Sequence, residues 1–188
     1  MSAVVANVRR VDEPAMAYSV TDVALLAVVV GVGYALKSHY STATADDLCW
    51  ALAPTTSLVE LVTGRHFSFE HGAGFADDSR HLFIAPACAG VNFLIVAFYS
   101  LCFCLLGEVH GTARKVLFVS LCLFAAYASM IVVNAGRISA GLALGSHPGL
   151  FGGVQHADLH RIEGVVTYLT ALWLLVAGGR WAIRGASR

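Results

Sequence analysis

The chain has 188 residues, 57% of them hydrophobic and 13% charged, with basic and acidic side chains in equal number. A soluble domain carries about a quarter charged residues, so the composition points away from one and toward an integral membrane protein. Zero net charge gives no sign of a nucleic-acid partner.

The first apolar run, from Met16 to Leu36, is long enough for a bilayer core, which takes about 20 apolar helical residues. Asp22 lies toward one end of it, where a carboxylate reaches the headgroups. The run starts late and lacks a small-residue cleavage site, so no cleavable signal peptide is expected. Residues 48–64 form a weaker candidate. Pro54 interrupts it and Glu60 would lie deep in a span, so an interfacial or re-entrant helix is expected.

Residues 65–86 read as a polar loop. In it "HFSFEH" alternates as a short strand does, and "GAGFADD" reads as a turn. Residues 87–107 form a clear span, and "EVHGTARK" is a short polar connection. Residues 116–136 form another clear span, with helix continuing past Arg137. Residues 145–161 form a loop rich in Gly and His, with a short helix near its end. Residues 162–180 are the last span, followed by a basic tail. The expected fold is a single all-α membrane domain over 1–188. It holds four or five transmembrane or interfacial helices and a polar outer loop with room for a short hairpin.

Lys and Arg set the orientation. With the "TARK" connection and the tail inside, that side holds Arg9, Arg10, Arg114, Lys115, Arg180, Arg184 and Arg188. The outer side holds Lys37, Arg65, Arg80, Arg137 and Arg161. Parity then brings Cys88, Arg137 and His160 to similar depth on the outer face, each at a helix end, within a core of about residues 80–165.

Cysteine is a nucleophile as the thiolate, which needs a neighbouring cation or base. Cys88 lies in "APACAG", where Pro86 sets up a helix whose N-terminus would favour the thiolate. Arginine and histidine at membrane depth are costly unless they pair or work. In an acyl-transfer site Cys88 would attack a carbonyl, His160 would move protons and Arg137 would stabilise the oxyanion. Asn134, one helical turn before Arg137, offers a hydrogen bond to the guanidinium or to backbone. Asp158 and Glu163 flank His160 and are candidates to orient its ring. The five cysteines are odd in number. Cys102, Cys104 and Cys122 lie in apolar runs with no base nearby, so packing is expected of them. Tyr168, Trp50, Trp173 and Trp181 suit packing or interfacial roles. Asp77 and Asp78 read as a solvated turn, and His66, His71 and His81 as surface residues.

Cys88-Ala89-Gly90, Asn134-Ala135-Gly136-Arg137-Ile138, and His160 with Gly164 four residues on resemble three motifs of the exosortase/archaeosortase family. They fall in the same order, and the compact exosortase K type is the most similar. The resemblance covers roughly residues 46–180. It implies a membrane-embedded cysteine transpeptidase or endopeptidase in the cytoplasmic membrane, with its site on the outer face. Its implied substrates are exported proteins ending in a short motif, a transmembrane helix and a basic tail. An amine, glycan or lipid acceptor would resolve the thioester, and no cofactor or metal is implied. Arg161 follows His160, and the archaeal branch of the family uses a second Arg in place of the His. Arg161 therefore shares candidacy for oxyanion or carboxylate binding.

Two other readings compete. One is a membrane zinc hydrolase using His147, His156 and His160, of which the last two share a helical face. The other is a non-enzymatic assembly subunit whose polar residues only join helices. A haem-binding electron carrier is disfavoured, because the histidines lie in loops.

Overall fold

The computed structural model describes residues 19–78, 82–145 and 156–186; for 144–145, 156–161 and 186 it describes the backbone alone. The described chain runs α1 (Val20–Thr42), α2 (Cys49–Thr63), three short strands β1 (Phe67–Glu70), β2 (Gly74–Asp77) and β3 (Phe83–Ile84), then α3 (Val91–Leu105), α4 (Thr112–Gly145) and α5 (His156–Ala186). Four segments are long and apolar enough to cross a membrane: Val20–Thr42, Pro86–Glu108, Thr112–Ala143 and Ile162–Gly185. This is an all-α membrane protein carrying one small sheet.

The second span is the hub. α3 packs against α1, α4 and α5, and its Phe93, Leu94, Ala97, Phe98, Leu101 and Leu105 are buried. The outer helices leave Val23, Val28, Leu117, Leu121, Phe124, Leu169 and Leu174 exposed. In water such faces would be a liability; along membrane spans they meet lipid. Lipid tails are as apolar as leucine, so helix association rests on close packing and polar links.

Those links are visible at both ends. Ser19 and Asp22 form a reciprocal capping box at the start of α1. The Asp22 carboxylate, buried and not left to the headgroups, also takes the Lys115 ammonium from the start of α4. At the same end Arg180 Nε of α5 lies 3.2 Å from Glu108 Oε1, just past α3. These two pairs align one end of all four spans. At the other end the Lys37 ammonium donates to Asn92 at the start of α3, 2.8 Å away. In between, the Tyr99 hydroxyl donates to the Val30 carbonyl, 3.1 Å away, and its ring fills the space that Gly33 leaves open.

α2 does not cross the bundle. It lies along α4, with Trp50 beside Tyr127 and with Val62 and Thr63 beside Ser139 and Leu142. It begins after the end of α1 and leads through the sheet to the start of α3, so both its ends remain in the half of the molecule that holds those two helix ends. Pro54 lies inside this helix. It has no N–H to give to the carbonyl of Trp50 four residues back. The Tyr127 hydroxyl donates to that carbonyl instead, 2.8 Å away, so α4 completes what Pro54 leaves open.

The "GAGFADD" stretch is not a simple turn. Residues 71–73 and 78 turn, while Gly74–Asp77 pairs antiparallel with Phe67–Glu70 and with Phe83–Ile84. Gly74, at φ +121°, lies against the Ile84 carbonyl, where a side chain would collide. Asp77 is not solvated either. It is buried, pairs with Arg65 at 3.6 Å and accepts from the Leu82 N–H. Asp78 is exposed. The hairpin is tied to the α1–α2 connection through Asp46, whose carboxylate accepts from the Gly72 N–H at 2.7 Å and meets His71 Nδ1 at 2.6 Å.

Two consequences are testable. Tyr127→Phe orphans the Trp50 carbonyl, and the protein in detergent should lose about 1–2 kcal/mol of stability in denaturant titration. The His71 and Gly72 contacts hold the Asp46 carboxyl below its ordinary 3.8. That tie is therefore present above pH 3.8 and is lost as pH falls through the lowered value. Hydrogen exchange at Gly72 should accelerate there, while exchange in α3 stays unchanged.

Candidate active site

Cys88 ends a single 3-10 turn, Pro86–Cys88, and is half-buried. This corrects the expectation of a thiol in the first turn of the spanning helix. Gly90 adopts φ +73° and caps α3, which starts only at Val91. The left-handed glycine redirects the chain between the turn and the helix. A Cβ at Gly90 would come within 3.0 Å of Met130 Cγ and 3.2 Å of Asn134 Cγ, so glycine also lets α4 approach closely.

Asn134 is fully buried where α4 passes this turn. Its Nδ2 donates to the Cys88 carbonyl, and its Oδ1 accepts from the Tyr168 hydroxyl of α5 at 3.0 Å. One amide thus joins the cysteine turn, α4 and α5. The expected use of Asn134 on backbone is what the geometry shows, with the backbone being that of Cys88. Tyr168 is held in turn by stacking on Phe93 of α3, ring centroids 5.0 Å apart. The phenol also lies in the electrostatic reach of both Arg137 and Cys88.

Arg137, one turn after Asn134, lays its guanidinium over the Tyr168 ring, 5.6 Å from the centroid. Such contacts stabilise a cation where water is scarce. Across from it, Gly164 of α5 faces the Arg137 stem, and a Cβ there would lie 3.7 Å from Arg137 Cδ, an ordinary contact. Arg137 is half-buried inside the helix cluster and does not simply reach out to the interface.

At 1.5 Å per residue, about 33 Å of helix separates Lys115 from Arg137, and about 30 Å separates Arg180 from His160. The motif-bearing segments thus lie toward the end of the bundle opposite the "TARK" connection.

The cysteine turn and these segments of α4 and α5 therefore bring together Cys88, Asn134, Arg137, Gly164 and Tyr168. Glu163 is half-buried on α5. The backbone of α5 runs through His156, Asp158, His160 and Arg161, which places His160 one helical turn before Gly164. The side chains of these four, and His147, lie outside the described residues. Among the described residues no three His, Cys, Asp or Glu side chains gather as a metal site would require. Cys102 and Cys122 touch inside the apolar core, and Cys104 is exposed on the outer surface of α3. Tyr168 is the participant that reading the sequence missed. Its distance from Gly164, four residues on one helical face, was the available signal.

The fold and this cluster define a four-span all-α membrane protein with a polar side-chain cluster where the Cys88 turn, α4 and α5 meet. No family model, curated protein or solved structure matches the chain.

Gly90 generates a direct test. Gly90→Ala forces a left-handed residue to carry a Cβ against Met130 and Asn134, and should cost about 1 kcal/mol or more. Thermal unfolding in detergent reads the loss, and mass spectrometry of alkylated Cys88 reads the displaced turn.

Proposed function

We propose that this protein is a membrane-embedded cysteine transpeptidase or endopeptidase of the exosortase/archaeosortase kind. The observation that carries the reading is the junction at which the Cys88 turn, the Asn134 and Arg137 segment of α4, and the Gly164 and Tyr168 segment of α5 meet. These are the three segments whose motifs resemble that family. Helices distant in sequence converge there with a nucleophile and a cation on adjoining elements. A set of residues serving only to join helices has no need of a thiol at the junction.

In the proposed reaction the Cys88 sulfur attacks a substrate carbonyl just above the bilayer. A tetrahedral oxyanion forms and Arg137 stabilises it. The C–N bond breaks, a C–S bond remains, and His160 carries the thiol proton to the departing amine. An amine acceptor, or water, then attacks the thioester and restores the thiol. Arg161 is the second candidate for binding the oxyanion or a substrate carboxylate. Asp158 and Glu163 are candidates to orient His160.

The substrate would be an exported protein with a C-terminal motif, a transmembrane helix and a basic tail. Its own helix sets the height of the cleaved bond. An enzyme with its nucleophile at a helix end meets that bond at the boundary without extracting the substrate. The protein would sit in the cytoplasmic membrane, with Cys88 on the outer face and the Lys115 and Arg180 end inside, as the basic residues favour. Transfer to an amine, glycan or lipid acceptor would follow at the same surface.

The test is processing of a tagged exported protein carrying such a C-terminal signal. Cys88→Ala should abolish processing while membrane levels stay normal. Arg137→Lys keeps a charge but loses the planar fork, and should lower the rate at least about 100-fold. A merely interfacial arginine would tolerate lysine. Processing that survives Cys88→Ala rules this function out.

A further inference from the structure

We infer that Tyr168 is a positioning residue for the Cys88 turn, acting through the side-chain amide of Asn134. The orientation of that amide is fixed by chemistry. The Cys88 carbonyl can only accept, so the atom facing it is the donating NH2 group. The amide oxygen then faces Tyr168, and the phenol O–H is the donor that meets it at 3.0 Å. Asn134 is fully buried, so no water stands ready to replace either partner.

The chain of contacts has a direction. Phe93 of α3 holds the Tyr168 ring by stacking, the ring holds the hydroxyl, the hydroxyl holds the amide, and the amide holds the carbonyl of the residue that bears the thiol. Gly90 supplies no side chain to brace the turn from its other side. The Asn134 bond is thus the described side-chain hydrogen bond that fixes Cys88 relative to α4. Arg137 lies over the same ring, so the tyrosine also sets the spacing between cation and thiol. Tyr168 does its work without touching a substrate.

Removing the hydroxyl leaves the ring. In Tyr168→Phe the stacking on Phe93 and the ring face under Arg137 remain, but the hydroxyl's own contact with Arg137 is lost, the Asn134 oxygen loses its donor and the amide is free to rotate. A buried amide that rotates releases the Cys88 carbonyl. Tyr168→Phe and Asn134→Ala therefore break one link at two points, and their effects should not add.

The experiment uses full-length protein in detergent, iodoacetamide as probe, and mass spectrometry to follow Cys88 and Cys104 separately. Tyr168→Phe should raise alkylation at Cys88 about 5-fold, leave the exposed Cys104 unchanged, and shift the melting temperature little. Asn134→Ala should give the same change at Cys88, and the double variant no more than either alone. Wild-type alkylation at Cys88 in Tyr168→Phe overturns the inference. So do effects that multiply in the double variant, or a rise at both cysteines alongside a lowered melting temperature.

A kinetic arm rests on the function proposed above. Tyr168→Phe should lower kcat for processing about 10-fold and leave KM within about 2-fold, because the thiol is misplaced while substrate binding is untouched. A change confined to KM overturns the positioning role. Processing that persists in Cys88→Ala overturns the peptidase reading alone, and alkylation then decides the role of Tyr168.

Discussion

One buried amide joins three segments at one end of this molecule. Asn134 cannot be left unpaired inside a bundle, where an unsatisfied polar group costs about 1–3 kcal/mol. It meets that requirement by bonding two partners from different segments, the Cys88 carbonyl and the Tyr168 hydroxyl. The requirement fixes how α5 faces α4 and where the cysteine turn stops. Gly90 is the complementary feature: it omits a side chain where the amide must fit.

The other end of the bundle does a different job. Asp22 with Lys115, and Glu108 with Arg180, tie the four spans at a common level. About 20 residues of helix, close to what spans a bilayer core, separate this end from the cysteine, arginine and histidine motifs. α2 and the small sheet stay in the half that holds those motifs, and they brace it through Trp50 to Tyr127 and through Asp77 to Arg65. The result is one end anchored by ion pairs and another built of turns, glycines and polar side chains.

Much of this was legible in the residues. Hydropathy and length mark the four spans, and parity alone assigns the Cys88, Arg137 and His160 helix ends to one side. Other features depend on pairings that local sequence does not carry. Pro54 looks like a helix breaker until Tyr127, 77 residues from the Trp50 carbonyl it reaches, supplies the missing donor. "GAGFADD" looks like a turn because glycine is read as flexibility; here Gly74 is required by the close approach of Ile84. The thiol looked like part of a helix N-terminus because hydropathy runs continuously through 87–107, and a left-handed Gly90 leaves no trace in hydropathy. Tyr168 looked like a packing aromatic because its hydroxyl partner lies 34 residues back on a different helix.

The proposed chemistry makes Cys88 the atom that carries the substrate between cleavage and transfer. Its most direct measurement is intact-protein mass spectrometry of the enzyme after reaction with a signal-bearing substrate while acceptor is limiting. The expected result is the substrate's amino-terminal fragment attached to the Cys88 peptide and released by neutral hydroxylamine, as a thioester is. Cleaved substrate with Cys88 never modified, and cleavage that continues in Cys88→Ser, would contradict it.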